Sequence, residues 1–127
     1  MANGDYTAPV NDYEFLLKET FGTDIIARST GGDMTADDMV DVLGAAGEMA
    51  AELFAPLDRI GDTQGSKLVD GNVVTPEGFK EAYQTYIESG WVSASSPESA
   101  GGDGLPSAVQ GALSEFWCAA NSAFSLA

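Results

Sequence analysis

A chain of 127 residues, 44% of them hydrophobic, is long enough for one domain with its own core. Five Lys plus Arg against 20 Asp plus Glu give a formal charge of -15. That balance excludes nucleic acid and anionic membrane surfaces, which are held by clustered cations. There is no His and one cysteine, Cys118. An intrachain disulfide, Ser-His and Cys-His catalysis and most zinc sites are therefore excluded, and no metal site is expected. Cys118 lies among apolar neighbours and reads as a small buried hydrophobe. The opening MANGDYTAPVNDYEF has neither the basic region nor the apolar run of a signal peptide. No apolar stretch is long enough to cross a bilayer, so the cytoplasm is the default location.

Residues 1–9 read as a loose N-terminal arm, and residues 10–127 as the domain. Asn11-Asp-Tyr-Glu14 reads as a helix start with Asn11 as cap and Glu14 reaching back. Val10 and Phe15 are placed to staple that start, Leu16 and Phe21 supply apolar contact, and Gly22 is a stop. Ile25–Met34, with Gly31-Gly32-Asp33, reads as a connection. Thr35 opens a second helix with Asp37 and Asp38 in its first turn. Met39, Val42, Leu43, Ala46, Ala50 and Leu53 recur at three- and four-residue steps, opposite Asp37, Asp41, Glu48 and Glu52. This predicts an amphipathic helix over about 36–54, its acidic stripe solvated, with Pro56 limiting how far it can continue.

Residues 59–75 form the longest irregular stretch, in which Asp70-Gly71 between two apolar pairs suggests a small hairpin or tight turn. Its aspartates lack the spacing of a calcium loop. Thr75-Pro76-Glu77 reads as the next helix start, with Val74 stapled to Phe79. Phe79, Ala82, Tyr83, Tyr86 and Ile87 form its apolar face, Gly90 ends it, and Trp91 anchors the exit. The last helix starts at Pro106 and presents Val109, Ala112, Leu113, Phe116, Ala120, Ala123 and Phe124 on one face. After Asp103 the chain carries one charge, Glu115, and the other face is Ser107, Gln110, Gly111, Ser114, Cys118, Asn121 and Ser125. A helix so poor in charge is expected to be covered on most sides. The expected fold is all-α, about four main helices with little or no sheet, and a fragment whose natural neighbours lie elsewhere.

Ser96-Pro97-Glu98-Ser99-Ala100-Gly101-Gly102-Asp103-Gly104-Leu105 resembles the P-E-x-x-G-G-x-G-L signature of acyl-CoA dehydrogenases. Upstream, Ala55-Pro56-Leu57, Gly61-Asp62, Gly65, Leu68, Asp70-Gly71, Val73, Thr75-Pro76, Gly78-Phe79, Ala82-Tyr83 and Gly90-Trp91 resemble the larger subgroup of that family. That subgroup includes 3-methylmercaptopropionyl-CoA and long fatty-acyl-CoA dehydrogenases. Tyr6, Ala8-Pro9, Asp12 and Phe15-Leu16 resemble its N-terminal arm, and the similarity covers nearly the whole chain.

The resemblance implies the N-terminal α-helical domain of an FAD-dependent enzyme that desaturates acyl-CoA thioesters. In that family the flavin sits mainly on a middle β-domain and a C-terminal bundle, and the catalytic carboxylate lies beyond the residues matched here. No catalytic and no cofactor-binding residue is therefore assigned in this chain. The resemblance implies that Asn121, Phe124 and Ser125 wall the acyl pocket. Gly101, Gly102 and Gly104 are expected to form a tight turn with positive backbone angles. Alone, the chain is expected to be inactive, to bind no FAD, and to expose an apolar last helix able to form a homodimer. The competing reading is a free-standing acidic helical interaction module. A carrier protein is disfavoured because no Asp-Ser pair occurs.

Overall fold

The computed structural model describes residues 6–126. Met1–Asp5, most of the expected arm, and Ala127, the last residue of the expected domain, lie outside the described residues. The architecture is all-α, with one two-stranded hairpin. Helix α1 (Val10–Phe15) runs into a π-type stretch, Leu16–Phe21, that stops at Gly22. Three further helices follow: α2 (Thr23–Ser29), α3 (Ala36–Met49) and, through π-type turns at Ala50–Phe54, α4 (Ala55–Gln64). Strands β1 (Lys67–Val69) and β2 (Asn72–Val74) pair antiparallel across Asp70-Gly71. Helix α5 (Phe79–Glu88), two short 3₁₀ turns, α6 (Ser107–Ala120) and α7 (Ser122–Ser125) complete the chain.

Helix α3 forms because its apolar residues share one face and its start is capped twice. Thr35 Oγ1 accepts from the Asp38 amide at 3.1 Å, and the Asp38 carboxylate accepts from the Thr35 amide at 2.8 Å. The Thr35 contacts hold the Asp38 carboxyl below its usual range. Met39, Leu43, Ala46, Ala50 and Phe54 are buried along α3 and its extension. They meet Val109, Ala112, Leu113, Phe116 and Ala120 of α6, with Leu17 and Ile26 closing the far side. Fourteen-residue helices joined along such a seam are held by packing, since propensity alone would leave each marginal.

Several local expectations are corrected. Pro56 does not end the helix. It falls in the first turn of α4, where its missing N–H costs least, and helix continues to Gln64. The expected connection after Ile25 includes α2, which buries Ile26. Helix α1 begins at Val10 behind Pro9 with no side-chain cap, so Asn11 is not its cap. Phe15 is 62% exposed, too open to staple, and Leu17 rather than Leu16 enters the core, one turn after Tyr13. The Thr75 start slips to Phe79, because Gly78 has a φ of +82° that no right-handed helix accepts. Val74 stays about half exposed, so the second staple is absent too. Tyr6 and Ala8 are partly buried on the core, so the part of the arm described here is packed rather than loose.

Helix α1 is tied to α6 through Tyr13, whose ring meets Phe116 edge-on at 5.5 Å and whose hydroxyl donates to Glu115 at 2.5 Å. Burial first, then that hydrogen bond and the Glu115 charge, push the Tyr13 phenol up to about 12. The folded state thus prefers the protonated phenol. Its contribution is complete below the unfolded value of about 10 and is lost as pH rises from there to about 12. Tyr13→Phe should be less stable than the wild type by about 1 kcal/mol at pH 8. Urea melts should show that gap closing across the alkaline window, and a gap independent of pH would contradict the contact.

Candidate functional site

The three residues assigned to an acyl-pocket wall lie at the junction of α6 and α7. The chain does not continue as one helix here. Asn121 takes φ -161° and ψ 93°, and α7 starts afresh behind it. Its side chain is 1% exposed, with Nδ2 donating to the Phe54 carbonyl at 3.1 Å and Oδ1 accepting from the Phe124 amide at 2.9 Å. One side chain therefore caps α7 and fastens it to the end of the α3 extension. The break turns Phe124 inward onto Phe54, ring centroids 4.5 Å apart and stacked, while Ala123 is left exposed rather than on the buried face. Ser125 is only partly buried, its hydroxyl donating to the Ser122 carbonyl at 3.0 Å and touching Cys118 Sγ at 3.3 Å.

Phe124 and Ser125 line a cleft of about 110 Å³ together with Phe54, Tyr83, Tyr86 and Trp117. The rings form a continuous cluster: Phe54 meets Trp117 at 5.1 Å and Tyr86 at 5.8 Å, and Trp117 meets Trp91 at 5.8 Å. Burial, and secondarily Tyr83, raises the Tyr86 phenol above its ordinary value, so the cleft is uncharged at neutral pH. An apolar, aromatic, uncharged wall suits a hydrocarbon group. Asn121 lies behind that wall and holds it, rather than facing the cleft: its two polar ends are spent on the chain's own backbone.

The sequence reading missed Phe54 and Trp117 as wall residues. Both signals were available: Phe54 is one turn beyond Ala50 on the buried stripe, and Trp117 is one turn before Asn121. Cys118 is exposed, not buried. It stands two residues from Phe116 and so points away from the face that Phe116 buries.

The glycine-rich turn closes on itself. The Gly101, Gly102 and Gly104 amides donate to the carbonyls of Glu98 (2.9 Å), Pro97 (3.2 Å) and Ser96 (2.9 Å), and Leu105 to Ala94 at 3.0 Å. Gly101 and Gly104 have φ of +82° and +65°. Gly102 does not have a positive φ and is needed for another reason. A Cβ there would lie 2.2 Å from the Ser96 carbonyl oxygen and 2.4 Å from that of Ser93. Gly101→Ala is expected to cost about 1 kcal/mol from backbone strain alone. Gly102→Ala should cost about 3 kcal/mol, because two backbone carbonyls must move. Denaturation midpoints giving the two variants equal losses would contradict this division.

Neither the glycine-rich turn nor Lys18 is free to hold a dinucleotide pyrophosphate. The glycine amides are used internally. Lys18 is held between Glu14 at 2.7 Å and Asp37 at 2.6 Å, with Asp37 foremost in raising its pKa. No group of three or more potential metal ligands occurs among the described residues, and no described helix is long and apolar enough to cross a membrane.

No protein-family model matches the chain. Its curated relatives are acyl-CoA dehydrogenases, and nearly the whole chain aligns with them, as the glycine signature and upstream motifs imply. One is the 3-methylmercaptopropionyl-CoA dehydrogenase of Ruegeria pomeroyi, 38% identical over 122 residues, which cover 95% of this chain and 21% of that protein. Another is the broad-specificity linear acyl-CoA dehydrogenase FadE5 of Mycobacterium tuberculosis, 32% identical over 123 residues, 93% of this chain and 20% of that protein. The chain spans about a fifth of the length of these relatives.

Proposed function

We propose that this chain serves as the N-terminal helical domain of an FAD-dependent acyl-CoA dehydrogenase, a cytoplasmic enzyme that desaturates acyl-CoA thioesters. The observation that carries the reading is a match along 95% of this chain to about a fifth of such an enzyme. In this role the chain contributes packing and one apolar wall of the acyl site. Phe124 with Phe54 and Trp117 forms the wall, Ser125 its rim, and Asn121 positions it. The flavin and the catalytic carboxylate are assigned to the remaining four fifths of the enzyme, as the family resemblance implies. At -15 the domain is also a poor cradle for the CoA phosphates. The open face of α6, with Gln110, Ser114 and Cys118 exposed, is available to those domains or to a second copy.

The test is to substitute this chain for the matched 122 residues of the Ruegeria relative and compare Phe124→Ala with the parent chimera. Removing the ring should change KM for acyl-CoAs roughly tenfold in a chain-length-dependent way, as expected for loss of a methylene-scale apolar contact, with less effect on kcat. An equal change for every chain length would count against the wall assignment.

A further inference from the structure

The β1–β2 hairpin stands apart from the core. Leu68 and Val73 face each other across the strands, 75% and 72% exposed, and Val69 and Val74 are each 49% exposed. Two three-residue strands with neither face covered are marginal by themselves. The residues that flank the hairpin are themselves fixed. The turn is a tight one at Asp70 (φ +49°) and Gly71 (φ +79°). At its base the Gln64 side chain accepts from the Glu77 amide at 3.0 Å, Pro76 is buried, and Gly61 lies so close to the Phe79 ring that a Cβ would be 2.7 Å from it. Four exposed aliphatic side chains presented together on a ribbon held at both ends are the kind of apolar patch that an interface covers.

Charge narrows what the hairpin meets. Between Asp62 and Glu77 the only charged residues are Lys67 and Asp70, so this stretch is neutral in a chain of net charge -15. Interface centres are depleted of charge in this way. A second copy is disfavoured, because two bodies of -15 repel and one hairpin buries far less than the roughly 1,200 Å² of a stable pair. The relatives extend four fifths of their length beyond the match, which supplies another surface. We infer that the outward Leu68–Val73 face of the hairpin docks on an apolar surface of the acyl-CoA dehydrogenase polypeptide beyond this domain. This rests on the proposed function, and it adds which surface of this chain makes the junction.

The experiment compares amide hydrogen exchange at the hairpin in this chain alone and in the Ruegeria chimera. Residues 67–74 should exchange at least about tenfold more slowly in the chimera. The double variant Leu68→Ser, Val73→Ser should abolish that added protection while leaving the isolated chain's unfolding midpoint unchanged. A folded chimera with no added protection overturns the docking and leaves the proposed function standing. A variant that destabilises the isolated chain equally overturns it as well, since the hairpin would then belong to the domain's own core. Protection that rises with concentration in the isolated chain assigns the face to a second copy instead. A parent chimera that fails to fold contradicts the proposed function, and the docking falls with it.

Discussion

Phe54→Ala should destabilise this domain by about 3–5 kcal/mol, a large part of the total stability of a chain this size. Phe54 is 1% exposed and stands where the α3 extension, α5, α6 and α7 converge. Its ring is stacked on Phe124 and edge-on to Trp117 and Tyr86. Truncation removes apolar burial and three ring contacts at once. Phe54→Leu should recover more than half of the loss. Phe124→Ala, at the partly open edge of the same cluster, should cost about 2 kcal/mol. Urea unfolding followed by tryptophan fluorescence measures all three, since Trp117 reports on the cluster directly. A loss below about 1 kcal/mol for Phe54→Ala would contradict its central place.

Asn121→Leu should cost about 2–3 kcal/mol although it keeps the volume and adds apolar surface. The Phe124 amide loses its acceptor and the buried Phe54 carbonyl one of its donors. Asn121→Asp separates hydrogen bonding from shape. A carboxyl in a position that is 1% exposed has its folded pKa raised above the unfolded value of about 3.9. Near pH 4 the protonated acid can donate to Phe54 and accept from Phe124, so the variant should approach the wild type. As pH rises toward 7 the unfolded state ionises and the folded site resists, so the deficit should grow by about 1–3 kcal/mol. The comparison is made against the wild type at each pH, which cancels the chain's other carboxylates. A deficit independent of pH would mean that the side chain is not enclosed.

Where the sequence carried strong periodicity, the fold was legible. The α3 stripe from Met39 to Ala50 and the α6 stripe from Val109 to Ala120 form the seam of the core, although the stripe continues to Phe54 rather than to the expected Leu53. The helix start at Thr35 and the hairpin or tight turn at Asp70-Gly71 were legible from short-range chemistry alone, while the reciprocal Thr35–Asp38 cap was not read. What escaped was decided at a distance. Pro56 is tolerated because the helix reorganises around it, and α7 turns back because Asn121 finds a carbonyl 67 residues earlier. Neither partner can be inferred from neighbours in the chain. The same holds for the aromatic cleft: Phe124 was visible as an apolar residue at helical spacing, but its stacking on Phe54 depends on the break at Asn121. The glycine signature pointed to the right turn, while Gly102 serves close backbone approach rather than a left-handed conformation.

The most direct measurement of the central claim is flavin content and acyl-CoA oxidation, assayed side by side on this chain and on the Ruegeria chimera that carries it. The isolated chain should hold no flavin and oxidise no acyl-CoA, while the chimera should be yellow and reduce its flavin on adding substrate. Flavin bound to the isolated chain, or a folded chimera that holds flavin but leaves it oxidised in the presence of acyl-CoA, would contradict the claim.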